Sequence, residues 1–362
     1  MFFLIGNFTN YIKPVAGVLT DALPFMGTRR RNYILLGVGS GAFFWLALGL
    51  VHRSYADLLI VYTLFYVTVV ITSTSLGGRM IEIGREYGAY GRLTAQRIGT
   101  FRVASVAGGL MGGWLAGNAF GITIGIASCL HILLFALYFR HMTEPKGSKI
   151  SREPVAESLR IVRLLISSRV TLAAGGMIFL IAASPGFGTA LLFYQTNTLH
   201  FTKVFVGGLS SINAAFGLLG AWINYVLCRR RPVKVLLVGS VIAHAIGTLS
   251  FLHYTAALPA VIITAIAGIS GTLAILPVYD LAARGTPAGA EAIGYAVMMS
   301  VWNATNALSD WTGSTLFDRL HFTFRHLVWV NAATTALVLF VIPLLPAVLL
   351  HAKDNDVHTG SS

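Results

Sequence analysis

The chain's 362 residues are 56% hydrophobic and only 11% charged, against about a quarter charged in an ordinary soluble domain. With a mean hydropathy of +0.74 and apolar runs recurring from end to end, a soluble globular protein is excluded. An all-α polytopic membrane protein is the class that fits, since each span needs about 20 apolar residues. The net charge of +13 would point to nucleic acid in a soluble chain and must first be tested against membrane topology.

In chain order, charged and Gly/Pro punctuation predicts helices near residues 1–19, 32–51, 57–77, 94–116 and 119–139. A polar, basic stretch follows, and then six more helices near 171–195, 203–227, 234–252, 258–283, 289–315 and 325–350. The expected domains are a five-span bundle (1–139), a cytoplasmic linker (140–170), a six-helix bundle (171–350) and a cytoplasmic tail (351–362). A six-plus-six architecture without its first helix explains both the odd count and the position of the linker; a genuine eleven-span protein is the alternative. The N-terminal run has neither the basic region nor the small-residue cleavage site of a signal peptide.

If the loop after the first helix is cytoplasmic, twenty of the 26 Lys and Arg residues fall on that side, against four (Arg53, Lys203, Arg319 and Arg325) outside. By the positive-inside rule this places the C-terminus in the cytoplasm, in a multi-pass protein of the cell (inner) membrane. Topology then accounts for the whole positive charge, and nucleic acid drops out as a partner. The two halves echo each other as parallel repeats should. Gly17 and Asp21 stand four apart before Arg29, Arg30 and Arg31, and Gly220 and Asn224 stand four apart before Arg229, Arg230 and Arg231.

Several polar residues fall inside predicted spans. Arg102 lies about eight residues into its helix, roughly 12 Å deep, where an arginine is a functional candidate by default. Its paired donors suit the carboxylate of an organic anion. A buried ion pair, with Asp310 as one candidate partner, or snorkelling to the surface is the structural alternative. Gln96 and Arg97 extend a polar path from the cytoplasm. Asn303, Asn306 and Asp310, spaced three and four, form one stripe that must face protein or water, with Asp310 the carboxylate best placed for proton coupling. Asp280 and Arg284, with Glu291 just beyond, read as an exposed salt-bridge set at a gate, of a kind that contributes little to stability.

The sequence SPGFG (184–188) predicts a helix break near mid-membrane, followed by Phe193 and Tyr194. Tyr62 and Tyr66, one turn apart and followed by hydroxyl residues to Ser75, could sandwich a flat heterocycle or serve helix packing. His131 and His244 read as packing histidines, and Cys129 and Cys228 as packing thiols. There is no Cys/His metal cluster, Walker sequence or nucleophile-elbow serine, so no metal, cofactor or enzymatic activity is expected.

From Lys13 the chain reads KPVAGVLTDALPFMGTRRRNY. Lys13, Pro14, Gly17, Asp21, Pro24, Gly27, Arg29, Arg30, Arg31 and Tyr33 match the pattern of the loop between the second and third helices of major facilitator transporters. Within them, the segment resembles the folate-biopterin transporter family. Weaker agreement continues in GRLTAQRIGTFR (91–102), FYQTNTLHF (193–201) and LAARGTPAGAEA (281–292). The resemblance implies two helical bundles around a central cavity, and alternating-access transport of a small anionic solute such as a folate or pterin. It also implies that the chain starts after the family's first helix. Lys13, Gly17, Asp21 and the arginine triplet, with Asp280 and Arg284, would form the cytoplasmic gate. Family members commonly carry an aspartate in the fourth helix, whereas this chain has no acid between Asp57 and Glu82. The expected partners are a small-molecule solute, a coupling proton and the lipid bilayer, with the chain acting as a monomer. The rival reading is a sensor, assembly factor or inactive truncation product on a transporter-derived fold.

Overall fold

In a bilayer a long apolar run satisfies its backbone N–H and C=O groups only by coiling on itself. The computed structural model describes residues 13–51, 54–116, 118–144, 154–351 and 353–354 and consists of helices joined by short turns. In chain order these are α1 (Lys13–Ala22), α2 (Arg31–Leu50), α3 (Tyr55–Glu86), α4 (Tyr90–Ala116), α5 (Phe120–His141), α6 (Pro154–Ser167) and α7 (Arg169–Ala182). After them come α8 (Gly188–Phe193), α9 (Lys203–Leu227), α10 (Val233–Ser250), α11 (Ala257–Arg284), α12 (Glu291–Asp318), α13 (Phe324–Leu337) and α14 (Ala347–Leu350). Among the described residues, seven helical stretches are long and apolar enough to cross a membrane.

Most boundaries fall within a few residues of those predicted, and α9 coincides with its prediction. Three differ for physical reasons. Helix α3 runs on to Glu86, so Arg79 and Arg85 sit on helix rather than in a loop. The polar stretch 140–170 contains α6, whose Leu165 is buried against Ala290 and Ile293. The last predicted helix, 325–350, stops at Leu337 and proceeds through two 3-10 turns to α14, because Pro343 and Pro346 cannot donate the hydrogen bonds that would continue it. The predicted first helix lies outside the described residues up to position 12, as do Arg53, Lys146, Lys149 and Arg152.

The break at 184–188 is present: α7 ends at Ala182 and α8 starts at Gly188. Its freed backbone groups are taken up by neighbouring helices, as burial in a bilayer requires. Gly186 N–H donates to Ser309 O at 2.9 Å, Ser309 Oγ donates to Ser184 O at 2.5 Å, and Asn331 Nδ2 donates to Pro185 O at 2.9 Å. Beyond α8 the helix widens into a π turn, Tyr194–Thr198.

The chain forms two compact units that interleave its halves: Met1–Ile83 with Gly112–Thr171 and Thr286–Ser300, and Gly84–Met111 with Leu172–Gly285 and Val301–Ser362. In the first, α2 packs along α5, and α1 meets α6 and the start of α12 through Val18, Leu165, Ala290 and Ile293. In the second, α9 lies directly on α11: a Cβ on Gly220 would come within 2.7 Å of Ile269 O. An aromatic core of Phe251, Tyr254 and Phe324 closes one end of this unit, where Gln195 Nε2 donates to Tyr254 Oη at 2.6 Å.

Candidate functional site

Two buried charge clusters stand out, one in each unit. The first grows from the motif loop. Helix α1 carries Asp21 in its last turn, and the chain reverses through Met26 (φ 50°) and Gly27 (φ 82°). Paired positive φ values make Gly27 the cheap residue at its position, which accounts for the motif glycine. The reversal brings Arg30 back onto Asp21, Nη2 to Oδ1 at 2.5 Å, with both side chains fully buried. The same carboxylate accepts the N–H groups of Ala292 (3.4 Å) and Ile293 (2.8 Å) in the first turn of α12, where the helix dipole favours negative charge. Gly17 permits this approach, since a Cβ there would lie 2.5 Å from Ile293 Cα.

Glu82 completes the Arg30 environment at 3.0 Å from Nε, and Arg79 pairs with Glu82 at 3.3 Å. Burial works against the charge on Arg30, but Asp21 and Glu82 more than restore it, so the guanidinium titrates above its ordinary value. The Asp21 side chain is sealed, because α1, Arg30 and α12 close over it.

The other motif arginines have separate roles. Arg29 stays part-exposed, 3.5 Å from Asp21. Arg31 donates to Met142 O (2.7 Å) and Phe139 O (3.1 Å), capping the C-terminal end of α5. Glu144, which follows α5, accepts the backbone N–H groups of Arg29 (2.9 Å), Arg30 (3.0 Å) and Arg31 (2.7 Å) and so caps α2. Lys13 is half-buried at the start of α1.

The second cluster corrects the reading of Asp280 and Arg284 as an exposed pair. They meet at 2.9 Å with side chains only 3% and 5% exposed, and Arg284 Nη2 reaches Asp354 Oδ1 at 2.8 Å. Asp354 also accepts the N–H groups of Gly91 (3.0 Å) and Arg92 (2.9 Å) at the start of α4. Glu291, grouped with this set in the sequence reading, belongs to the first unit and accepts from Gly289 N–H at 2.9 Å. Burial, and then Asp354 at 3.6 Å from its sulfur, push the Cys228 thiol well above its ordinary pKa. In a Cys129→Ser background at pH 7, a maleimide is therefore expected to label Cys228 at least about tenfold more slowly than an exposed thiol, because the thiolate attacks and both burial and the adjacent carboxylate disfavour it. Arg284→Ala should speed that labelling by loosening Asp354, and fast labelling of the parent would show the cluster to be open.

Arg102 stands apart from both clusters. Half-buried on α4, it has Nη1 3.5 Å from Asn213 Oδ1, and its Nε finds no hydrogen-bond partner among the described residues. Gly217 makes room for it, since a Cβ there would lie 2.8 Å from Nε. Thr272 Oγ1, equally near that point, is also buried with no partner among the described residues. No described carboxylate pairs with Arg102. The alternative of an ion pair with Asp310 is not realised, because Asp310 is exposed beside Gly186. Gln96 is exposed six residues earlier, about 240° around the helix at 100° per residue, so the structure does not bring it to Arg102.

Of the remaining candidates, Tyr62 and Tyr66 contact each other in the first unit with ring centroids 5.1 Å apart. The neighbouring Phe65 touches Trp45 and His131 edge-on. Thr68 and Thr72 bond back to their own helix, an arrangement of packing material. Phe193 and Tyr194 belong to the second unit, stacked on Phe317 and Phe324 at 6.1 and 4.8 Å beside an aromatic cavity of about 500 Å³. Asn303 is half-buried, and Asn306 lines a smaller polar cavity. Among the described residues no group of three or more His, Cys, Asp or Glu side chains could hold a metal ion.

Sequence reasoning missed Glu144 and Asp354. A signal existed: each is the first acid after a long uncharged-acid gap, since Glu86 and since Asp318 respectively, and each follows the last apolar run of its half.

The chain is 28% identical over 371 residues to a folate-biopterin transporter of Synechocystis, the alignment covering 95% of this chain and 74% of that one. Among solved structures, the fucose:proton symporter of E. coli superposes with a TM-score of 0.71 at 13% identity, over 94% of this chain and 90% of that one. A human organic anion transporter gives 0.69 at 14% identity, over 94% and 83%. The fold is that of the major facilitator transporters, as the motif loop implied, and the protein is an integral multi-pass membrane transporter rather than an enzyme. The family match extends over residues 3–360, nearly the whole sequence, and the chain belongs to the BT1 family.

Proposed function

We propose that the protein is a secondary active transporter that moves a small anionic organic solute of the folate or pterin kind by alternating access. The observation that carries this reading is Arg102: a half-buried guanidinium with no carboxylate partner and an unused Nε, next to a glycine that leaves space. A carboxylate supplied by the solute would meet both needs. The Synechocystis relative bears the name of a folate-biopterin transporter, which supports the choice of solute.

The two charge clusters serve as the gate on the cytoplasmic side, the side given by the distribution of Lys and Arg. Buried charges are costly unless paired, so Asp21 with Arg30 and α12, and Asp354 with Arg284 and α4, favour the state in which these contacts are made. Rocking of bundles 1–139 and 171–350 about a midplane site would break and remake them. Uptake of labelled folate and labelled biopterin into cells expressing the chain is the direct test. Accumulation above cells with empty vector is expected, and none for either compound would remove this substrate class.

A further inference from the structure

Within the second unit, a cavity of about 220 Å³ lies between the end of α7, the 184–188 break, α10, α11, α12 and α13. For a membrane interior its wall is polar, with Ser184, His244, Asn306, Ser309, Asn331 and Thr335. Most of these groups are already satisfied. Ser184 Oγ and Thr335 Oγ1 share a hydrogen bond at 3.1 Å, Ser309 and Asn331 hold the backbone of the break, and Asn331 Oδ1 accepts from Thr248 at 3.4 Å.

Two groups are not. His244 Nδ1 is sealed from solvent and has no hydrogen-bond partner among the described residues. Asn306 donates through Nδ2 to Trp302 O at 2.7 Å, and among the described residues nothing donates to its Oδ1. An unsatisfied buried polar atom costs about 1–3 kcal/mol, and a water needs only about 10–15 Å³ of cavity together with two or more polar partners. The cavity that His244 and Asn306 both line has the volume to hold such water.

Among the described residues lining the cavity, His244 is the one titratable side chain. On the surrounding helices, Lys234 and Arg169 open α10 and α7, and Arg325 and His326 open α13. Asp280 and Arg284 are tied to each other near the end of α11, and Tyr279 is turned edge-on to Trp302. Asp310 follows Ser309 on α12, with its carboxylate beside Gly186.

We infer that this cavity is a proton site and that His244 carries the proton coupled to solute movement, an inference that rests on the transport reading above. Water reaching the cavity delivers the proton: one O–H bond of hydronium breaks, one imidazole N–H bond forms, and no electrons are exchanged. The imidazolium donates to water in the cavity, whose wall carries Asn306 as an acceptor. The proton returns to water when the bundle changes state.

The test reads the imidazole directly, by 15N NMR of the full chain labelled in histidine and held in nanodiscs, with the His244 signal identified by its loss in His244→Gln. A signal that passes from neutral to charged between about pH 5 and 8 is expected, and a ring that stays neutral throughout overturns the site. Ala274→Leu, which fills the cavity from α11, should abolish the titration; an unchanged titration in that variant overturns the role of cavity water and decides the matter even where His244→Gln does not fold. In proteoliposomes with folate as the probe, His244→Gln should lose accumulation driven by a pH gradient while keeping exchange of labelled for unlabelled folate. Unaltered gradient-driven accumulation overturns the coupling role. If the parent moves no folate, the substrate reading fails while the NMR titration still decides the proton site.

Discussion

Asp21→Asn is expected to abolish net transport and to lower the thermal stability of the purified protein, although the substitution changes neither size nor shape. Asparagine keeps one oxygen, which can still accept the N–H of Ile293, but its amide nitrogen then stands where Oδ1 accepted Ala292 N–H and Arg30, so the fully buried guanidinium is left with Glu82 as its carboxylate and with Thr20 O. Removing one partner of a buried pair costs about 3–5 kcal/mol, and the remaining carboxylate places this case near the lower figure. Asp21→Asn combined with Arg30→Met should therefore recover most of the melting temperature, because it removes the stranded charge. It should not recover transport, because the clasp is still gone. A single mutant with parental melting and normal uptake would reduce Asp21 to a helix cap.

The fold was legible because its determinants are local. An apolar run of span length has one way to satisfy its backbone in lipid, and SPGFG breaks a helix wherever it is placed, so the spans and the interruption at 184–188 follow from the sequence. The contents of the clusters were only partly legible. Spacing put Gly17, Asp21 and the arginine triplet in one loop, but nothing local says that Arg30 folds inward while Arg29 and Arg31 do not. That choice depends on Glu82, 52 positions away, and on the α12 amides, 271 and 272 positions away. For the same reason burial was misjudged at Asp280, where covering Asp354 comes from a distant segment. The pairing of Arg102 with Asp310 was reasonable by charge alone. It fails because Asp310 is turned to the break rather than toward α4.

The two clusters share a construction. Each sets a carboxylate at the first turn of a helix and adds a buried arginine: Asp21 at α12 with Arg30, and Asp354 at α4 with Arg284. Helix α12 lies in the second half of the sequence and Asp21 in the first, while Asp354 and α4 show the reverse pattern. A bilayer protein gains little stability from buried ion pairs over apolar packing. What such pairs add is a penalty of about 3–5 kcal/mol for being half-made, which suits the proposed gate, since it must be either closed or open.

Arg102→Lys is expected to raise the apparent constant for an anionic solute about ten- to a hundredfold, with the protein remaining stably inserted. Arginine offers a planar fork that can hold a carboxylate by two parallel hydrogen bonds, whereas lysine presents one compact, strongly hydrated charge. The loss of one charge-assisted hydrogen bond, about 1.5–3 kcal/mol, sets that range. The geometry also separates binding from a structural role. Arg102 pairs with no described carboxylate and leaves Nε unsatisfied, so Arg102→Ala removes a cost rather than a support and should leave folded stability unchanged or raised. Saturating solute should recover part of the rate in the lysine variant, as expected when ground-state binding is what was lost. Melting temperature and solute affinity measured on both variants decide the matter. A large drop in stability for Arg102→Ala would mean the guanidinium supports the fold, and unchanged affinity in that variant would remove Arg102 from the binding site.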